Sequence, residues 1–276
     1  MARKKTKKKA KFNKRFYRLI FCIFALLFVI CLFFLLRWVI DSYHAKKLGE
    51  QLVELQRKHV QEIEPTANPE METIPSDYWK YMKVPFVSVD FTELLKINPE
   101  TVGWINVPDT NINYPIVQTN NNEYYLKHAF DRSRNSAGWI FADYRNNMKN
   151  FDFNTIVYGH GRIDTTMFGT LKKALKKEWY TKDSNLTIRL STPTENTVWR
   201  VFSVYSTKAE SYYLTTDFYG DTDSQQKYID EMLKRSITDF QTPVTINDHI
   251  LTLSTCQDNY DNRVVVMAKL VNRMKR

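Results

Sequence analysis

The chain has 276 residues, of which 43% are hydrophobic and 25% are charged, and its formal net charge is +10. Ten of its 40 basic residues lie in the first 18 positions, which hold no acidic residue, so the rest of the chain carries 30 basic and 30 acidic side chains. A formally neutral body offers no global basic surface, which argues against a nucleic-acid-binding protein.

An apolar segment follows the basic tail. Residues 19–36 contain no charged side chain, and after Arg37 the apolar run continues to Ile40. Helical residues rise about 1.5 Å each, so 18 to 22 of them cover about 27 to 33 Å and cross a bilayer core. The segment is longer than the apolar region of a signal peptide, and no Ala-x-Ala site follows it. We therefore expect a transmembrane helix over 19–40, a cytoplasmic tail over 1–18 and an extracellular remainder.

The next residues predict a stalk and a linker. Residues 41–64 are polar with spaced apolar side chains, a pattern typical of a helix that continues from the membrane. The Pro-rich stretch 65–69 cannot continue a helix, so we assign 41–74 to the stalk and linker. The extracellular domain then covers residues 75–276.

Short runs rich in β-branched and aromatic residues predict eight strands in this domain: Val102–Val107, Ile112–Val117, Gly138–Phe141, Thr155–Tyr158, Leu186–Leu190, Val198–Ser206, Ile250–Thr255 and Val264–Leu270. Eight short strands with turn residues between most of them favour a barrel or a sandwich. Three helices are predicted: a short one opened by a capping box at Asp90, one over Met167–Lys177 and one over Asp223–Ile237.

Cys256 follows the seventh predicted strand and is the one cysteine outside the apolar segment. Cys22 and Cys31 both lie within that segment, so Cys256 has no intrachain disulfide partner on its side of the membrane. An odd cysteine in an exported protein indicates either intermolecular pairing or a reactive thiol. The alternative is a small, buried, structural cysteine.

A cysteine nucleophile needs a nearby imidazole or cation to generate its thiolate. Of the five histidines, two lie in the stalk. His249 precedes Cys256 by seven residues along an apparently continuous strand, which separates them by about 23 Å. His128 falls on a predicted short helix, where packing is the commoner role. His160 directly follows a strand between two glycines and is the candidate partner; a turn histidine without a partner is the alternative.

The last two predicted strands form a hairpin. Antiparallel pairing would return Arg263 to Cys256, where a permanent cation could hold a substrate carbonyl or a developing oxyanion. An arginine in solvent at a strand end is the alternative. Asp258 could orient His160, but an acidic residue in such a connector is more often only a loop residue.

Together these residues resemble the sortases, membrane-anchored cysteine transpeptidases of Gram-positive bacteria. The sortase signature Thr-Leu-x-Thr-Cys with a downstream arginine corresponds to Thr252–Cys256 and Arg263, and the sortase histidine follows a strand as His160 does. Similarity to class B sortases extends over residues 98–105, 122–126, 138–145, Tyr158–His160 and Met167–Gly169, and the predicted helix before the seventh strand fits that class. The short interval between Cys256 and Arg263 is a departure and predicts a tight final loop.

The resemblance implies a closed eight-stranded barrel with peripheral helices and no metal or other cofactor. It implies that Cys256 attacks the carbonyl after threonine in a C-terminal sorting signal, that His160 moves protons between the departing and incoming amines, and that Arg263 stabilises the oxyanion. Ser254, Thr255 and Gln257 are expected to contact substrate, with the Gln257 backbone N–H as a second oxyanion donor.

The expected partners are surface proteins with an Asn-Pro-x-Thr or Pro-x-Thr-Gly signal, and the expected acceptor is an amine of a cell-wall precursor or a pilin lysine. Three alternatives stay open from the sequence. The chain could be a pilus-assembling sortase, a cysteine peptidase whose thioester is resolved by water, or a membrane-anchored binding module with a buried Cys256.

Overall fold

The computed structural model describes residues 14–57, 61–63, 84–208, 210–256 and 262–276. The strands are β1 (Gln61–Ile63), β2 (Phe86–Ser88), β3 (Thr101–Asn106), β4 (Asn113–Val117), β5 (Phe141–Ala142), β6 (Asn154–Gly159), β7 (Thr187–Ser191), β8 (Glu195–Lys208), β9 (Ile250–Cys256) and β10 (Asn262–Lys275). The α-helices are α1 (Lys14–Arg57), α2 (Thr92–Ile97), α3 (Lys177–Tyr180) and α4 (Thr222–Arg235). Short 3-10 helices cover Tyr124–Leu126, Leu171–Leu175, Asp183–Leu186 and Tyr212–Leu214.

Eight of these strands close into a barrel in the order β10-β8-β7-β3-β4-β5-β6-β9. Neighbouring strands are antiparallel except for the parallel pairs β4–β5 and β6–β9. Each predicted strand corresponds to one barrel strand, and the predicted closed eight-stranded barrel is confirmed. The closure leaves no unpaired strand edge in the barrel, which protects its backbone groups from pairing with other chains.

The two faces of the last strand show where the core lies. Along a strand, successive side chains point to opposite faces. Three alternate residues of β10, Val264, Val266 and Ala268, belong to the main core cluster. This cluster also contains side chains of β3, β6 and β9. The residues between those three, Val265 and Met267, belong to a second cluster that packs beneath α4. The helix α4 therefore covers the outside of the barrel over β8, next to the outward face of β10.

The chain divides into two compact units, residues 1–41 and residues 42–276. In the first unit, helix α1 contains a segment that is long and apolar enough to cross a membrane. In the second unit, α1 continues to Arg57 and buries Ala45, Gly49, Leu52 and Gln56, which recur at helical spacing. Ala45 and Leu52 belong to the main core cluster.

Two helix predictions differ from the structure. The stalk helix ends at Arg57 rather than near residue 64, and Gln61–Ile63 pair as β1 with β2. The single helix predicted over Met167–Lys177 is wrong, because Met167 has a φ of 51° and Lys176 is extended. Neither backbone conformation continues an α-helix, so the segment forms a 3-10 helix followed by α3.

The helix predicted over Asp223–Ile237 is confirmed as α4, within the usual margin at helix ends. Its N-cap is Asp221, whose carboxylate accepts hydrogen bonds from the backbone N–H groups of Asp223 and Ser224. The Pro-rich stretch 65–69 lies outside the described residues.

Candidate active site

Strands β6 and β9 end side by side at one rim of the barrel. They are parallel, and their last paired residues are Gly159 and Thr255. The next residues along the two strands are His160 and Cys256, so the backbone places the predicted histidine and cysteine at the same rim. Parallel pairing requires a long connection between the strands, and here the other elements between residues 160 and 249 supply it.

The final hairpin returns the predicted arginine to the same place. Arg263 pairs directly with Cys256 across β9 and β10, as the sequence predicts. On its other side Arg263 pairs with Thr207 of β8. The connecting residues 257–261 lie outside the described residues, so the expectations for Gln257 and Asp258 stay predictions.

His160 is half-buried, and one ring nitrogen is fixed. Its Nε2 lies 2.9 Å from the carbonyl oxygen of Leu126. A carbonyl oxygen only accepts hydrogen bonds, so Nε2 carries a proton and donates it. In the neutral ring Nδ1 is then the basic nitrogen that is left for proton exchange.

The surroundings of His160 favour its neutral form. Burial is the main cause that lowers the pKa of His160 below its ordinary value, and the positive charges of Arg162 and Arg263 lower it further. The hydrogen bond to Leu126 opposes this shift. At neutral pH the imidazole of His160 is therefore neutral.

Gly138 is a site residue that the sequence did not reveal. Its φ is +61°, and a Cβ atom there would lie 2.9 Å from Cδ2 of His160 and 2.5 Å from the carbonyl oxygen of Tyr125. Glycine alone lets the backbone pass this close to the imidazole. The strand predicted to begin at Gly138 begins at Phe141, so the predicted start is wrong. An isolated glycine beside a strand pattern is the signal that could have suggested a close backbone approach.

Ser254 and Thr255 are both buried in β9. The Ser254 hydroxyl lies 3.0 Å from the hydroxyl of Tyr213, which belongs to the segment between β8 and α4. This hydroxyl therefore has a partner within the protein. The pair also attaches the segment before α4 to the strand that carries Cys256.

A buried carboxylate beneath the rim was also missed by the sequence. Asp143 accepts hydrogen bonds from the Tyr158 hydroxyl at 2.8 Å, from Asn122 at 2.9 Å and from two nitrogens of Arg145 at 2.8 and 2.7 Å. Burial alone would raise the pKa of Asp143, but Arg145 and the other donors outweigh it and lower the pKa. This charged centre fixes β6 two residues before His160.

The other histidines have separate environments. His249 lies just before β9, at the end of the strand opposite to Cys256, and its Nδ1 is 3.1 Å from the carbonyl oxygen of Asp152. The ring of His128 stacks on Tyr124 with a centroid distance of 4.0 Å. In the described part of the chain, no group of three or more His, Cys, Asp or Glu side chains could hold a metal ion.

Comparison with known proteins matches this barrel to one family. A family model described as a sortase domain matches residues 105–271. Sortase B of Staphylococcus aureus is 40% identical over 188 residues, which cover 67% of this chain and 76% of that protein.

Two solved structures are also similar. Sortase B from Bacillus anthracis in complex with AAEK1 is 35% identical with a TM-score of 0.68, and the match covers 86% of this chain and 100% of that one. A Staphylococcus aureus sortase B–substrate complex is 33% identical with a TM-score of 0.64, and the match covers 83% and 94%. The barrel, the geometry of its rim and these matches agree. The chain belongs to the sortase family and is a class B sortase transpeptidase.

Proposed function

We propose that Cys256 is the nucleophile of this transpeptidase. The observation that carries the proposal is the strand register, which pairs Gly159 with Thr255 and Cys256 with Arg263. A thiol, an imidazole and a guanidinium are thereby brought to one rim by the backbone. This set supplies a nucleophile, a base and an oxyanion donor.

His160 moves the protons in the proposed reaction. Nδ1 takes the thiol proton, and the thiolate attacks the carbonyl carbon of the threonine in the sorting signal. The tetrahedral intermediate collapses, the carbon–nitrogen bond breaks, and the proton on Nδ1 passes to the departing amine. An incoming amine then gives a proton to Nδ1, attacks the thioester and releases the Cys256 thiolate.

Arg263 stabilises the negative charge that develops on the carbonyl oxygen. Its side chain is half-buried, and the ion pairs between described residues do not include it. A guanidinium is a permanent cation and can direct several N–H donors at an oxyanion. Removing one such donor typically costs about 10² to 10³ in kcat.

The proposed substrates are proteins with a C-terminal sorting signal of the Asn-Pro-x-Thr or Pro-x-Thr-Gly type. A related sortase B from Staphylococcus aureus has been solved as a substrate complex, which supports a substrate-binding site in this protein. The proposed acceptor is an amine of a cell-wall precursor, and a pilin lysine is the second acceptor to test. The proposed substrate site includes Ser254, Thr255 and Gln257. The hydroxyl of Ser254 also contacts that of Tyr213.

The proposed location is the outer face of the cell membrane. The basic tail 1–18 would lie in the cytoplasm, residues 19–40 would span the bilayer, residues 41–74 would form the stalk and linker, and the catalytic domain 75–276 would be extracellular. The candidate span in α1 and the ten cations before it support this orientation.

The test uses the full chain in detergent with a panel of peptides that carry either signal type, with and without a glycine peptide as amine acceptor. We expect cleavage after threonine in one panel member and transfer of the new acyl end to the acceptor. Cys256→Ala should reduce turnover by about 10³-fold or more, and His160→Gln by about 10² to 10⁴. Equal cleavage by wild type and Cys256→Ala would refute the nucleophile, and only hydrolytic product despite abundant acceptor would refute transfer.

A further inference from the structure

We propose that the part of α1 that begins at Ser42 is a component of the catalytic site, and that Arg162 is a positioning residue which connects it to His160. The inference rests on the catalytic role proposed for His160. Two segments enclose this histidine, the loop 161–169 that follows it and the turn at Gly138 that covers its ring. Both segments are bonded to the same helix, through different residues.

The first connection passes through Arg162. Its Nη2 donates a hydrogen bond to the Ser42 hydroxyl at 2.6 Å. Nε and Nη2 also donate to Asp164 Oδ2 at 3.0 and 2.7 Å. The Arg162 side chain is only 9% exposed, so this is a largely buried charge that is paired with Asp164. A buried arginine held by two partners fixes the backbone on which it stands.

That backbone is the continuation of His160. The carbonyl oxygen of His160 accepts hydrogen bonds from the N–H groups of Arg162 at 3.1 Å and Phe168 at 3.0 Å, which closes the loop onto the histidine. Within the loop, Asp164 accepts from the backbone N–H of Thr166 at 3.1 Å and from its hydroxyl at 2.6 Å. A shift of Arg162 would therefore move the peptide group of His160 itself.

The loop cannot relax easily into another shape, because it is densely packed. A Cβ atom at Gly169 would lie 2.2 Å from the carbonyl oxygen of Arg162. Burial alone would raise the pKa of Asp164, but Arg162, Thr166 and Ser42 donate to its carboxylate and hold that pKa at about 2. The ion pair is therefore formed throughout the pH range in which the enzyme would be assayed.

The second connection passes through His44, two residues after Ser42 in α1. Its Nδ1 lies 3.1 Å from Nδ2 of the buried Asn135, and its Nε2 lies 3.4 Å from Asp131. The carbonyl oxygen of Asn135 accepts the N–H of Gly138 at 3.1 Å, and Gly138 is the residue packed against the His160 ring. The helix thus also supports the turn that packs against the ring of His160.

The helix is itself anchored firmly enough to serve as a support. Ala45, Gly49, Leu52 and Gln56 form its buried stripe, and Gln56 donates to the Asp90 carbonyl oxygen at 2.8 Å. A Cβ atom at Gly49 would lie 2.9 Å from the Tyr114 ring, so the glycine lets the helix approach the barrel closely. Ser42 and His44 are therefore held at a fixed distance from the histidine loop.

The first test compares Arg162→Gln and Arg162→Lys in the full chain. Among the described residues, the charged groups that act on His160 are Arg162 of its own loop and Arg263 of β10. Arg162→Gln should raise the pKa of His160, measured by NMR of labelled imidazole, and lower kcat/KM about tenfold. Arg162→Lys should leave that pKa near the wild-type value but still lower kcat/KM, because one ammonium cannot replace the guanidinium fork.

The matched control is Arg200→Gln. Arg200 is 5% exposed, forms a 2.6 Å pair with Asp183 and lies in β8 seven residues before Thr207. It should destabilise the fold to a similar degree and leave kcat/KM and the His160 pKa unchanged. The proposal would be overturned if Arg162→Gln kept both the wild-type His160 pKa and the wild-type kcat/KM. It would also be overturned if Arg162→Gln and Arg200→Gln lost kcat/KM to the same degree. Full activity in Arg162→Lys would also overturn it.

A milder variant tests the helix side. Ser42→Ala should increase amide hydrogen exchange in residues 161–169 severalfold, whereas Lys47→Ala, on the exposed side of the same helix, should not. Unchanged exchange in Ser42→Ala would contradict the connection. The imidazole titration and the exchange data do not depend on turnover. If Cys256→Ala stayed active, the proposed function would fail while these two measurements would still decide the positioning role.

Discussion

At the scale of single residues, the site depends on how tightly His160 is enclosed. A carbonyl oxygen holds its Nε2, and a glycine backbone lies against its Cδ2. The first contact selects the tautomer, and the second sets the plane in which the ring can lie. Both contacts come from the segment between residues 124 and 138, whose sequence carries no recognisable catalytic motif. A sequence shows which histidine follows a strand, but it does not show which distant backbone encloses it.

Gly138→Ala should impair catalysis more than its effect on stability explains. Alanine at a φ of +61° is strained by about 1 to 2 kcal/mol, and its methyl group would also press on the His160 ring. We expect kcat/KM to fall at least tenfold. Gly220→Ala is the control, because Gly220 has a φ of +73° with no atom within 4 Å of the added Cβ. Equal kcat/KM in the two variants would contradict the role of Gly138.

The lowered pKa of His160 predicts how stability depends on pH. The folded state binds this proton less readily than the unfolded state, whose histidine pKa is about 6.5. As the pH falls below about 6.5 the unfolded state gains the proton first, so the free energy of unfolding decreases. Chemical denaturation should show that the free energy of unfolding decreases less between pH 7 and pH 5 for His160→Gln than for wild type. Identical losses in both proteins would contradict a lowered pKa.

At the scale of elements, the sequence predicts strands better than it predicts the segments that surround the site. The eight barrel strands alternate or are continuously apolar, and the closed barrel satisfies both patterns. The pairing of Arg263 with Cys256 follows from hairpin geometry alone. The segment 161–177 was predicted poorly, because its positive φ angles at Thr165 and Met167 are imposed by tertiary contacts that local propensity does not encode.

The Tyr213–Ser254 contact connects the segment before α4 to β9, and a double-mutant cycle can measure it. Tyr213→Phe and Ser254→Ala should each lower the free energy of unfolding by about 1 kcal/mol. Each variant removes one of the two buried hydroxyls that contact each other. The double variant should cost less than the sum of the two. Additive effects would show that the two hydroxyls are not energetically coupled.

The same variants separate two roles of Ser254. If Ser254 contacts substrate, Ser254→Ala should raise KM even in the Tyr213→Phe background. An unchanged KM in that background would limit Ser254 to holding Tyr213. Peptide kinetics with the panel member that is cleaved give this readout directly.

At the scale of the whole molecule, barrel closure creates the site. Cys256 and Arg263 are neighbours by a local hairpin, whereas His160 joins them only through the long parallel connection between β6 and β9. A sequence can nominate the three residues separately, but their meeting at one rim is a property of the closed sheet. The register that brings them together could not be derived from strand patterns, because many strand orders are compatible with eight short strands.

The candidate membrane span makes a prediction at this scale. The full chain should remain with membranes after alkaline extraction, because the segment 19–40 is long and apolar enough to cross the bilayer. Protease added to intact spheroplasts should remove the domain and leave the basic tail protected. A protected domain would contradict the proposed orientation.

The central claim is that Cys256 forms a thioacyl intermediate which an amine resolves. Mass spectrometry of the full chain, incubated with the cleaved peptide and then with a glycine peptide, tests it most directly. We expect an adduct on Cys256 with the mass of the acyl fragment ending in threonine, which disappears as the amine-transfer product forms. Transfer product formed by Cys256→Ala, or by wild type through an adduct on another residue, would contradict it.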